Sequence, residues 1–434
     1  MNSPVSSEAV PAADETFAAR VAERSVAGGR LLALPTPAEE VVSLRGSVRA
    51  WPDFAAGEEL TQQLMAALLD KGTEHRDRFE LARVLEDRGA ELNVTSSGLR
   101  VRFSVRALRD DVPAVLEVLS DMLRQPRFAP EELEKERAQQ AAALQRRMDQ
   151  TRAQASGALA RALYTPAHPS YRPAPGALLE QLRALGRADV QAHHDAHLGA
   201  DDLLMAAAGD LAPDALADAA REHFGGWETA DPEPRFDTEA APSEKQHHAV
   251  EMPDRESVDV RLGHALPGLR RDSEDYLPLY VANYVLGGNF SARLMRIVRD
   301  EKGLTYGTGS ALAGVAVAHD AYWKIRVALS QEKLKEGIDA TRAVVEDFAT
   351  EGVTEAELAE KKTTITGSFT VGLASTGQLA RTLLTNAERG FETGYLDAFP
   401  EKVEALTLDE VNDAVERHFR PDALHEALAG TLPN

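Results

Sequence analysis

The chain has no cysteine among its 434 residues. That excludes disulfides, cysteine-ligated zinc and thiol nucleophiles together, and it fits a reducing compartment. Lysine is also scarce: ten of the 48 basic residues are lysine and the rest arginine. Set against 70 acidic residues, they leave a formal charge of −22. A surface of that sign repels phosphate backbones, which weighs against nucleic acid as a partner. No apolar run is long enough to span a bilayer. The first twenty residues lack the basic and apolar blocks of a secretory signal, so the expectation is a cytoplasmic protein with no membrane attachment. There is no Walker phosphate loop, no Gly-x-Gly-x-x-Gly turn after a strand and no Gly-x-Ser-x-Gly elbow.

The length exceeds one ordinary core, so at least two domains are expected. They read as copies of one plan. "RALGRADVQAHHDAHLGADDLLMAAAGDL" (183–211) and "EALTLDEVNDAVERHFRPDALHEALAGTL" (404–432) agree at ten of 29 positions at an offset of 221, His197, Gly209 and Leu211 among them. "FAPEELEKER" (128–137) and "VTEAELAEKK" (353–362) mirror each other at an offset of 225. Leu99, Val101, Phe103 and Val105 alternate with polar residues, as do Trp323, Ile325, Val327 and Leu329. That is the period of a half-buried strand. Each strand leads into a helix-period stretch (about 110–124 and 333–350) and then a helix opening on acids. The pattern predicts an α+β protein of two homologous domains, each a mostly antiparallel sheet with helices packed on one face. The expected divisions are a disordered arm at 1–15, a first domain at 16–226, a Pro-, Glu- and Ala-rich linker at 227–248 and a second domain at 249–434.

The segments "GLRVRFSVRAL", "FAPEELEKER", "HPSYRPAPG", "AAAGDL", "VLGGNFSARLMRIVRDEKGLTYG" and "FATEGVTEAELAEKK" follow one another in the order of a known family. Over about residues 20–432 the chain resembles the pitrilysin (insulinase) family of zinc peptidases, in its mitochondrial-processing-peptidase-like branch. The resemblance implies metallohydrolase-type α+β domains and two paired chains closing around a chamber. It also implies a His-x-x-Glu-His zinc motif on a helix of the catalytic chain, with a further glutamate some 75 residues on. Two histidines at i and i+4 share a helix face, and the glutamate activates the zinc-bound water. Here the corresponding stretch reads "LTQQLMAALLDKGT". The histidine positions hold Gln63 and Ala67, the glutamate position Ala66, and the distal glutamate falls at about Ala143. Alanine offers no lone pair, and an amide is a poor zinc ligand beside imidazole. The expectation is a zinc-free subunit that binds no cofactor and is inactive alone, with zinc in the partner.

"VRDEKGLTYG" (298–307) reads as a helix end, a cap at Gly303 and a strand. The resemblance implies that Arg299 and Tyr306 reach across the chamber to substrate at a zinc site. A tyrosine hydroxyl can donate to a developing oxyanion, and a guanidinium supplies fixed donors but never a base. Dipole-favoured placement of an arginine at a helix end, and packing of a strand tyrosine, are the bland alternatives. Gly287, Gly288 and Asn289 are either a glycine-rich loop against substrate or a tight turn. "QAHHDAHLG" offers His193, His194, Asp195 and His197; a solvated helix is favoured over a metal site, because His197 repeats as His418 without the other histidines. His247 and His248 fall in the linker and are expected to be exposed. The partners implied are a zinc-bearing subunit and a peptide or unfolded polypeptide. The rival readings are a scaffold or peptide-binding protein of the same fold and, further off, a hydrolase built on a metal cluster around His193.

Overall fold

The computed structural model describes residues 16–37, 40–229, 233–240 and 245–433; the expected arm at 1–15 lies outside them. The first half runs β1 (Ala22–Val26), β2 (Gly29–Pro35), β3 (Val41–Arg49), α1 (Glu58–Leu68), α2 (Arg78–Glu86), β4 (Glu91–Ser97) and β5 (Arg100–Leu108). It continues with α3 (Val112–Arg124), α4 (Pro130–Met148), α5 (Thr151–Leu163), α6 (Pro175–Ala184), α7 (Arg187–His197), β6 (Leu204–Gly209) and α8 (Pro213–Phe224). The second half runs β7 (His247–Glu251), β8 (Ser257–Leu266), α9 (Tyr276–Asn283), β9 (Thr305–Ala313), β10 (Ala321–Ser330) and α10 (Leu334–Glu351). It ends with α11 (Glu355–Val371), α12 (Thr376–Glu388), α13 (Gly394–Ala405), α14 (Leu408–His418) and β11 (His425–Gly430).

The duplication is visible in the sheets. One is ordered β1-β2-β6-β3-β5-β4 and the other β7-β11-β8-β10-β9, so apart from β1 the two orders correspond strand for strand. With β1 set aside, the first pair of each order is parallel (β2 with β6, β7 with β11), and all other pairs, β1 with β2 included, are antiparallel. Gly209 and Gly430 end the matched strands β6 and β11 at φ of +140° and +150°. A Cβ at either would meet backbone of the neighbouring strand, 2.1 Å from the Val41 carbonyl oxygen and 2.8 Å from that of Ser257. Only glycine fits both the angle and the space.

Each half packs its own helices on one face of its sheet, as the sequence predicts. The opposite face is covered by a helix from the other half, which the periodicity did not show. Along β2 and β6, Leu31, Ala33, Met205 and Ala207 join the first half's own core, while Leu32, Leu34, Leu204, Ala206 and Ala208 turn to Leu383, Leu384 and Ala387 of α12. Along β11, Leu428 enters the second half's core, while Ala427 packs with Ala158, Leu159 and Leu163 of α5, and Ala429 with Ala155. Strands sandwiched this way are apolar on both faces, and alanine lets the covering helix approach closely. The two covering helices begin 225 residues apart, at Thr151 and Thr376, the offset seen in the sequence. Both threonines bond the opposite sheet at matched places: Thr151 donates to Asp259 on β8 at 2.8 Å, and Thr376 pairs with Ser43 on β3 at 2.9 Å.

Polar contacts tie the same seam. Glu388 of α12 accepts two bonds from Arg102 of β5, both at 2.9 Å. The buried Arg261 of β8 donates to Ser156 of α5 at 3.0 Å and to Asp259 at 3.1 Å. Tyr164, just after α5, stacks on His168 at 4.0 Å and meets Tyr322 of β10 edge-on at 5.7 Å. The expected linker lies against this seam in part, with Ala240 buried among these residues. His247 and His248 belong to β7 rather than to the linker, because β7 pairs with β11 from its first residue. His247 is exposed as expected, whereas His248 is half-buried.

Two outcomes follow from this packing. Leu383→Ala removes a fully buried side chain from α12 and should cost about 2–5 kcal/mol of unfolding free energy in urea titration. Burial pulls His168 down to about 4, helped by His319, and burial pulls His264 of β8 down to about 4. Both imidazoles are therefore neutral in the fold and would charge in the unfolded chain below about 6.5. Their contribution is complete above that pH and is lost as the pH falls from about 6.5 toward 4. The urea midpoint should fall across that window, and less steeply in His168→Gln.

Candidate functional site

Helix α1 starts at Gly57, whose φ of +79° turns the chain into the helix, and carries Glu58 and Glu59 in its first turn. On the helix face that would hold the metal motif, Ala66 is buried in the first core, Ala67 is half-buried and Gln63 is exposed. Ala143 on α4 is half-buried. The neighbouring Glu59 has its carboxyl pushed up by burial, with Arg172 4.0 Å away and the Gln63 amide pulling it back. The side chains present do not fit zinc: they offer one amide and no imidazole or carboxylate at the motif positions. The neighbouring Gln62, outside the motif positions, is fully buried. Its amide nitrogen donates to Ser96 Oγ at 2.7 Å and to the Gly98 carbonyl at 3.0 Å. It thereby ties α1 to β4, the edge strand of the first sheet.

Arg299 and Tyr306 stand where the sequence put them, on either side of a corner. Residues 295–301 form a π-helical turn, Gly303 adopts φ +60° and its N–H returns to the Arg299 carbonyl at 3.0 Å. Tyr306 is the second residue of β9, the edge strand of the second sheet. The Arg299 guanidinium lies 5.8 Å from the Tyr306 ring and 4.9 Å from that of Phe290, and it pairs with Asp300 at 2.8 Å. Tyr306 is 92% exposed and Phe290 69% exposed. Tyr306 is therefore not packed against the rest of its own chain. Phe290 is the residue the spacing missed; its only sequence signal was its place in "GGNFSAR".

Gly287 and Gly288 are neither a free loop nor a tight turn. They close a π-helical turn over 284–288 that follows α9. A Cβ on Gly287 would sit 2.4 Å from the Ser310 backbone nitrogen, and one on Gly288 would meet the Tyr284 ring at 2.8 Å. Asn289 leaves this turn in extended conformation, half-buried, and so delivers Phe290 toward Arg299.

The histidine-rich helix corrects the sequence reading. His193, His194 and His197 of α7 are buried, not solvated. With Val190 they make the i, i+3, i+4, i+7 stripe that packs the helix on the core, a spacing visible in the sequence but overridden by residue type. His194 binds the Leu123 carbonyl at 2.8 Å and Asp195 at 3.0 Å. Burial pulls His193 down to about 3, with His197 and His194 adding to it, which leaves a neutral imidazole. Glu58 of α1 faces His193 and His197 at 3.9 and 3.5 Å.

A profile described as Insulinase (Peptidase family M16) matches residues 62–170, and one described as Peptidase M16 inactive domain matches residues 184–365. An uncharacterized zinc protease of Mycobacterium tuberculosis is 28% identical over 371 residues, spanning 84% of this chain and 82% of that protein. The Helicobacter pylori non-peptidase homolog YmxG is 24% identical over 372 residues, spanning 84% and 83%. The crystal structure of a peptidase M16 inactive domain from Pseudomonas fluorescens matches with a TM-score of 0.85 over 95% of this chain and 98% of that one, at 22% identity. The chain belongs to the peptidase M16 family, the pitrilysin or insulinase family, as an inactive member. Among the described residues, no helix is long and apolar enough to cross a membrane.

Of the motif positions, Ala66 is part of the packed core. Ala66→Glu, which puts back the motif's carboxylate alone, should cost about 1–3 kcal/mol in chemical denaturation, because it buries an unpaired polar group.

Proposed function

We propose that this chain is the zinc-free subunit of a two-chain peptidase of the M16 family and acts in the cytoplasm. Its partner is a zinc-bearing chain of the same family, which supplies His-x-x-Glu-His and the activated water. This chain closes the chamber and presents Arg299 and Tyr306 to a peptide or unfolded segment held at the partner's metal. The observation that carries this reading is the exposed corner at Arg299, Tyr306 and Phe290, kept on a fold whose own metal-motif positions hold Gln63, Ala66 and Ala67.

The chemistry asked of the corner is modest. A Tyr306 hydroxyl free of internal covering can donate a hydrogen bond to a scissile carbonyl oxygen as it gains negative charge. The guanidinium of Arg299, set over Phe290, offers donors in a fixed plane to a neighbouring substrate carbonyl. Neither residue generates a nucleophile, so the chain alone is inactive. A scaffold or peptide-binding role without proteolysis is the second reading, and the H. pylori relative named a non-peptidase homolog favours it.

The test mixes the purified chain with a zinc-motif relative from the same genome and follows peptide cleavage. The mixture should cleave where neither chain does alone. Tyr306→Phe should lower the rate on the order of 10²–10³-fold while leaving association intact. A mixture that fails to associate, or a Tyr306→Phe mixture with full activity, would leave only the scaffold reading.

A further inference from the structure

The triangle of Glu58, His193 and His197 has no part in the proposed peptidase corner, and its geometry is unusual. Both imidazoles are 5% exposed. Their spacings to the Glu58 carboxylate oxygen, 3.5 and 3.9 Å, are too long for sound hydrogen bonds. Yet one ligand atom from each residue lies within 4.8 Å of the others. The far nitrogens, Nε2 of His193 and Nδ1 of His197, are buried without a hydrogen-bond partner. Three donor groups gathered this closely could share a central ion after a small inward adjustment. Tetrahedral bonds of about 2.0–2.1 Å hold their ligand atoms about 3.4 Å apart.

The second half supplies an internal control. His418 matches His197, and it bonds Asp275 at 2.8 Å. Asp275 stands at the N-terminal boundary of α9, which packs on α14 as α1 packs on α7, so this is the counterpart of the Glu58 contact. The counterpart of His193 is Ala414, fully buried. The duplicated fold thus needs a histidine-to-carboxylate brace between these helices and fills the third position with a methyl group. The first half opens the same brace from 2.8 to 3.5 Å and sets an imidazole beside it. Packing alone gives no reason for that exchange, since a buried imidazole without partners costs more than alanine.

We propose that Glu58, His193 and His197 form a site for a divalent transition cation, with zinc the best match, which clamps the end of α7 to the start of α1. Two imidazoles at i and i+4 and one carboxylate are a ligand set suited to zinc, and water takes the fourth position on the exposed side of Glu58. The Glu58 side chain is held in place by a second contact, since its carboxylate also accepts the Asp53 N–H at 2.8 Å. The last turn of α7 favours a cation through its free carbonyls, and the charge of Glu58 offsets the opposing field at the start of α1. The role is structural: the ion fixes the helix on which the family's catalytic motif would lie. This revises the expectation, drawn from the motif positions, that the chain holds no metal.

The test uses the tag-free full-length chain, stripped with chelator and titrated with zinc chloride in a calorimeter. Cobalt(II) absorption serves as a second probe. One equivalent of zinc should bind, cobalt should give the visible bands of a four-coordinate ion, and zinc should raise the thermal midpoint. His193→Ala, which copies the second half, should fold with a metal-free midpoint no lower than that of the unaltered chain. It should lose more than the roughly 10–100-fold in affinity that removing an outer partner of a ligand costs. Glu58→Gln, a second variant that keeps the shape, should weaken binding as well, and His418→Ala should leave it unchanged. Absence of zinc binding, or undiminished affinity in His193→Ala and Glu58→Gln, would overturn the proposal, whatever the outcome of mixing with a peptidase partner.

Discussion

Each sheet of this protein is closed on its second face by a helix that belongs to the other half, and the rest of the structure depends on that exchange. Without α12 the apolar side chains of Leu32, Leu34, Leu204 and Ala206 would meet water; without α5 the same would hold for Ala427 and Ala429. Neither half can bury its sheet alone. The exchange also fixes how the halves face each other, because Thr151 and Thr376 fasten to matched points, Asp259 and Ser43. Whatever the chain presents to a partner, it presents from a frame whose two sheets are locked together.

Against that repeated frame, the differences between the halves become informative. The first half has the helix of the family's metal motif, now packed with Ala66 in the core and tied by Gln62 to the edge strand β4. The second half has, on its own edge strand, the exposed corner of Arg299, Tyr306 and Phe290. The acidic surface and the cysteine-free composition place no further limit on this division of labour.

Much of the architecture was legible in the sequence because two periods were strong. The alternation at Leu99–Val105 and Trp323–Leu329 gave β5 and β10, and the acid-led openings gave α4 and α11. The offsets of 221 and 225 gave the duplication. The cross-covering helices were not legible, since a run such as "LMAAAG" says that both faces are buried but not by what. The corner at Arg299 and Tyr306 was read from spacing within a resembling family; Phe290 was missed because its approach to Arg299 depends on the turn at Gly287 and Gly288. The histidines of α7 were misread because residue type was weighed above the 190, 193, 194, 197 stripe. Glu58 lies 135 residues from His193, and nothing local in the sequence joins them.

The central claim is that Tyr306 touches substrate only in company with a zinc-bearing chain. The most direct measurement places a photoreactive phenylalanine analogue at position 306 and irradiates the chain with a labelled peptide, with and without that partner. The account predicts crosslinking of the peptide to this chain when the partner is present and none when it is absent. Crosslinking to the same extent without the partner, or none in the assembled pair, would contradict it.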